Sequence, residues 1–155
     1  MILLRKKSQL LKTHNMDYSK VEKKILPLVK AINNTGIFHT FSSCEGHYED
    51  ADQELMDRNH ADVRFDRLNG TKLKETEHFI TFLMSEFNKI HGFTPITLYG
   101  EKLYAPQYEY KPNYVFVITL EPFDRFDSPK KKRKDTDKAI LQATDVVKAY
   151  TKLFL

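Results

Sequence analysis

Apolar residues recur every three or four positions in three stretches of the chain, and every second position or in unbroken runs in four others. Val21, Ile25, Leu28, Val29 and Ile32 form one stripe over residues 17–33, with Asp17 or Ser19 placed to cap a helix and Pro27 placed to interrupt or kink it. Phe79, Phe82, Leu83, Phe87 and Ile90 form a second stripe over residues 73–91, which Gly92 closes. Ile140, Ala143, Val147, Tyr150 and Phe154 form the third, with Asp135 or Thr136 as its cap and Lys148 and Lys152 near its negative end.

Residues 37–42, 61–67, 95–99 and 114–120 read as strands. Val63 and Phe65 alternate with Asp62, Arg64 and Asp66, which predicts a strand with one wet face. Residues 115–120 have almost no polar break and suit a central strand buried on both faces. The order α-β-β-α-β-β-α repeats an αββ unit and adds a C-terminal helix. This predicts an α+β fold, a mixed or antiparallel sheet with helices packed on it, in a single domain over residues 1–155. Residues 1–16 read as a basic N-terminal extension and 128–135 as a basic loop. Two long connections remain, an acidic one over 43–60 and a tyrosine-rich one over 101–114, and long loops in compact domains are disproportionately functional.

Composition narrows the class. At 155 residues with 41% hydrophobic content, the chain can bury one core unaided. Cys44 is its single cysteine, so an intrachain disulfide is excluded and a reducing compartment, cytoplasmic or nuclear, fits best. No apolar run approaches the ~20 residues of a membrane span. Arg5, Lys6 and Lys7 stand where a secretory signal would carry its apolar region, so a cleaved signal is not expected.

The net charge of +4 is segregated. Residues 129–138 hold six bases and two acids, whereas residues 44–66 hold eight acids and two bases. A basic tract and an acidic loop attract opposite partners, so the overall charge identifies neither.

The stretch FSSCEGH, residues 41–47, leaves a strand through two serines into a cysteine and a glycine. Gly46 permits a positive φ, so Cys44 and His47 can converge across a sharp turn whose amides and hydroxyls suit an anionic oxygen. A thiolate beside an imidazole is a nucleophile or half of a metal site, with His39 and His60 as further ligands. Zinc is disfavoured, because Cys-x-x-His is only half a zinc signature and no second cysteine exists, and a Cys-His nucleophile is less favoured still, because nothing identifies the orienting third group. The plainer alternative is a small buried thiol beside serines that hydrogen-bond the turn.

The run DYSKVEKKILPLVKAINNTGIFHTFSSCEGH resembles the opening of the tRNA wybutosine-synthesizing protein 3 family. Leu28, Val29, Ile32 and Asn33 are followed by Thr40, Ser42, Ser43, Cys44 and Gly46 in the order of the family's helix, strand and SSC-x-G turn. His47 stands where that family has arginine and Glu45 where it has serine. The resemblance implies an internally duplicated α+β fold and S-adenosylmethionine-dependent methyl transfer to a modified guanine in tRNA. In that reading His47 and Cys44 are the catalytic candidates, His47 as base, and Ser42, Ser43, Glu45 and Gly46 lie against substrate or cofactor, with no metal.

The run SPKKKRKD resembles a nuclear-localisation peptide. Lys130, Lys131, Lys132, Arg133 and Lys134 would meet an import receptor when extended, or contact RNA phosphates. Tyr104, Tyr108, Tyr110 and Tyr114, with Lys102 and Lys111, suit base stacking or simple hairpin packing. The alternative to a methylase is therefore a non-enzymatic interaction protein on the same fold, acting in a eukaryotic nucleus, as a delivered bacterial effector would.

Overall fold

The computed structural model describes residues 16–49, 60–68, 70–92, 94–104 and 114–155. The elements run α1 (Leu26–Asn34), β1 (Phe38–Cys44), β2 (Ala61–Arg67), α2 (Leu73–His91), β3 (Ile96–Tyr104), β4 (Tyr114–Pro122) and α3 (Pro129–Phe154). The four strands form one sheet in the order β1-β2-β4-β3, and every neighbouring pair is antiparallel. The two hairpins therefore meet through their second strands, the arrangement expected of an αββ unit used twice.

In-phase positions on β2 and β4 build the centre of the core. Phe65 pairs with Phe116, Val63 with Ile118 and Ala61 with Leu120, and all six side chains are buried. Phe38 and Phe65 meet edge-on at 4.9 Å between ring centroids, Phe79 of α2 lies 4.8 Å from Phe38, and Tyr150 of α3 lies 5.1 Å from Phe79. Helices and sheet thus share one apolar cluster. The other face of β2 carries Asp62, Arg64 and Asp66, as the alternating pattern predicts, and β4 is central and buried from Phe116 to Leu120. At Gly100 an added side chain would meet Ile80 Cγ2 at 2.5 Å, so bare backbone is what lets α2 lie against β3.

Three strands run past their expected ends, β1 to Cys44, β4 to Pro122 and β3 to Tyr104, so that residues 101–104 are strand and not loop. Two helix starts also differ from the expected ones, each for a proline. A helix over 17–33 does not form; residues 18–25 make turns, and Pro27 sits in the first turn of α1, where its missing N–H costs nothing. Pro27 begins the helix and does not kink it. At the other end of the chain, residues 129–135 are no loop. Ser128 caps α3, accepting a hydrogen bond from the Lys131 amide at 3.3 Å, and Pro129 is the first helical residue, so the cap falls seven or eight residues before Asp135 or Thr136.

Candidate functional site at the 44–48 turn

Strand β1 contains a bulge. Thr40 pairs with Phe65 and Ser42 with Arg64, leaving Phe41 as the extra residue, half exposed at 52%. A strict period of two would put Cys44 on the core face with Thr40. The bulge inverts the phase, so Ser43 lies opposite Val63 and Cys44 opposite the acidic Asp62. Asn33, at the end of α1, holds the strand just before this point: its Oδ1 accepts from the Thr40 amide at 2.9 Å and its Nδ2 donates to Thr40 Oγ1 at 2.8 Å.

Gly46 turns the chain with φ +90°. A Cβ there would lie 2.7 Å from Tyr48 Cε2, so both the conformation and the space demand glycine. The Gly46 amide donates to Cys44 Sγ at 3.4 Å, and the Glu45 amide donates to Glu22 Oε2 at 2.7 Å. Glu22 Oε1 faces His47 Nε2 at 3.8 Å. Cys44, His47 and Glu22 each offer a ligand atom within 4.8 Å of the others. The convergence of Cys44 and His47 expected from the motif is therefore present, but the third member is Glu22. His39 and His60 do not join them; His60 pairs instead with Asp62 at 3.2 Å.

The electrostatics oppose a nucleophilic thiolate. Burial pushes the Cys44 thiol up, and the carboxylates of Glu22, Asp62 and Glu45 push the same way against a smaller opposing effect of the Gly46 amide. The thiol stays protonated near neutral pH.

The basic run meets this turn. Arg133 Nη1 donates to the Gly46 carbonyl at 2.7 Å and Nη2 to the Glu45 carbonyl at 2.8 Å, while Asp137 one helical turn on braces the guanidinium at 2.5 Å. Its plane also sits 5.1 Å from the centre of the Tyr48 ring. Tyr48 is buried, accepts a hydrogen bond from Thr136 at 3.1 Å, and its phenol is pushed up to about 12 by burial. Lys24 completes the junction through Asp137 at 2.9 Å.

The five bases of the run therefore have different fates. Lys132 is buried at 2% exposure, Arg133 clasps the turn, and Lys131 is paired with Asp127, just before the helix, and with Asp135 one turn on. Lys130 and Lys134 remain outward. Binding as an extended import peptide would require the first two turns of α3 to unwind and Lys132 and Arg133 to be withdrawn.

Turn and helix enclose an open cavity of about 680 Å³, with Glu45, Gly46, His47 and Glu49 on one wall and Ser128, Pro129, Lys130 and Arg133 on the other. Of the residues expected to line a site, Glu45, Gly46 and His47 do so; Ser42, Ser43 and Cys44 lie outside it. Lys24, Tyr48 and Glu49 line it without any signal in the motif. Tyr104 and Tyr114 meet across the β3–β4 hairpin at 6.3 Å with Lys102 over Tyr114, which is the packing alternative, while Tyr108, Tyr110 and Lys111 lie outside the described residues. So do most of the basic N-terminal extension and most of the acidic loop. Among the described residues no helix is long and apolar enough to cross a membrane. No family model, curated protein or solved structure matches the chain.

Proposed function

We propose that the chain is a methylase-like module whose cavity between the 45–48 turn and the start of α3 takes S-adenosylmethionine for transfer to an RNA base. The observation that supports this most is the mixed charge of one pocket of suitable size. Small-molecule sites run from about 300 to 1,000 Å³. S-adenosylmethionine carries a carboxylate, an ammonium, a sulfonium and an adenosine, so it needs cations, acids and a flat surface in one place. Lys130 and the positive end of α3, which has no acid in its first turn, suit the carboxylate. Glu45 and Glu49 suit the ammonium and the ribose hydroxyls.

Isothermal titration of the full chain with S-adenosylmethionine and S-adenosylhomocysteine tests the reading. Saturable one-to-one binding that Lys130→Glu weakens is expected, with thermal stabilisation growing with ligand concentration. Absence of binding to both ligands at millimolar concentration would overturn it.

A single observation favours the interaction-protein reading. Phe123 and Phe126, in the turn between β4 and α3, are 63% and 90% exposed. Large aromatics in that state are common at protein contacts. Retention of a partner by the wild-type chain but not by a Phe123→Ser, Phe126→Ser variant, without any binding of S-adenosylmethionine, would favour it.

A further inference from the structure

Glu22, Cys44 and His47 come from three places: the turns before α1, the last residue of β1, and the turn that follows it. Their Oε1, Sγ and Nε2 groups converge within 4.8 Å. Zinc bound to one sulfur, one nitrogen and one oxygen at about 2.0–2.3 Å sets its ligands roughly 3.3–3.8 Å apart in a tetrahedron. The Glu22–His47 separation is already 3.8 Å. Both of those side chains are substantially exposed, so a rotamer adjustment closes the remaining gap without moving the backbone.

We propose that Glu22, Cys44 and His47 bind one Zn²⁺ ion, the Cys44 thiol releasing its proton to solvent as the Zn–S bond forms, and leave a fourth position open to water or a ligand. The donor set argues for zinc over the hard cations. Calcium and magnesium take shells of oxygen ligands, whereas a thiolate, an imidazole and a carboxylate together match the borderline-soft preference of zinc. Three protein ligands are also the number found where zinc keeps a reactive position.

The surroundings fit the ion. Glu22 and Glu45 place negative charge beside Cys44, with Asp62 shared between His60 and Arg64, while the nearby cations Lys24 and Arg133 are both held by Asp137. A divalent cation would balance that excess. The backbone already orients two of the ligands: the Gly46 amide points at Cys44 Sγ, and the Glu45 amide engages Glu22 Oε2, which leaves Oε1 toward His47. His47 alone of the three also lines the cavity. The inference does not depend on S-adenosylmethionine binding, because none of its geometry uses the cavity contents.

The test is a Co²⁺ titration of the chelator-treated full chain, with Zn²⁺ competition. One equivalent of Co²⁺ should produce a thiolate-to-cobalt charge-transfer band that Zn²⁺ abolishes, and Zn²⁺ should protect Cys44 from alkylation. Cys44→Ser should remove the band; Glu22→Gln and His47→Ala should each weaken affinity at least about tenfold with unchanged circular dichroism, while His39→Ala and His60→Ala should leave it intact. Absence of the band, or a band of equal affinity in Glu22→Gln and His47→Ala, would overturn the assignment by leaving only adventitious thiol binding. Calorimetry with S-adenosylmethionine on the metal-free chain keeps failure of the cofactor reading separate from failure of this one.

Discussion

Gly46 and Arg133 decide the local geometry of the candidate site, and they differ in how visible they are from sequence. Glycine after a cysteine at a strand end announces a turn, because few other residues accept φ near +90°. Gly46→Ala is expected to cost roughly 1–3 kcal/mol in chemical denaturation, since the methyl group both strains the backbone and meets the Tyr48 ring. Arg133 lies 87 residues away from Gly46, and no local pattern couples them. Its i, i+4 pairing with Asp137 was hidden too, because residues 128–135 read as a loop and not as the first turns of a helix. His60 offers a pH test at the same scale. Its hydrogen bond to Asp62 holds it above the ordinary histidine value of 6.5, outweighing the opposing effect of burial. A group raised in the folded state stabilises fully below its unfolded value and loses that contribution as pH rises through the folded one. Proton NMR should therefore find His60 titrating above 6.5, Asp62→Asn should lower it, and the denaturation midpoint of the wild type should fall relative to that variant as pH climbs through the His60 titration. A His60 value that Asp62→Asn leaves unchanged would contradict the pairing.

At the scale of elements, periodicity located all seven, and β2 and α2 begin and end where the pattern predicts. The errors at the helix starts sit where a proline changes meaning with position. Pro27 and Pro129 each occupy the first turn of a helix, where the lost amide would have had no partner. The charge of KKKRK hid the start of α3, although Ser128 followed by Pro129 carries the signature of a cap and first residue. Ser128→Ala should lower stability by about 1 kcal/mol, as loss of an N-cap does, whereas a loop at 128–135 would leave it unchanged. The bulge at Phe41 was not legible, because a single inserted residue leaves no compositional trace. It nevertheless determines which face Cys44 joins.

For the whole molecule, the repeated αββ order was enough to foresee one sheet, mixed or antiparallel, with helices packed on it, since strands consecutive in the chain tend to pair; the structure makes every neighbouring pair antiparallel. What order alone does not supply is proximity between the ends of the chain. The 44–48 turn and the basic run look unrelated in sequence, and the packing of α1 against both β1 and α3 brings them to one cavity. The central claim is that these two segments form a single ligand site. The most direct measurement is an amide NMR titration of the full chain with S-adenosylmethionine. Shifts at Gly46, His47 and Tyr48 together with Lys130 and Arg133, saturating at one concentration, are the expected result. Shifts confined to one of the two segments, or found only on the outer sheet face around Asp62, would contradict it.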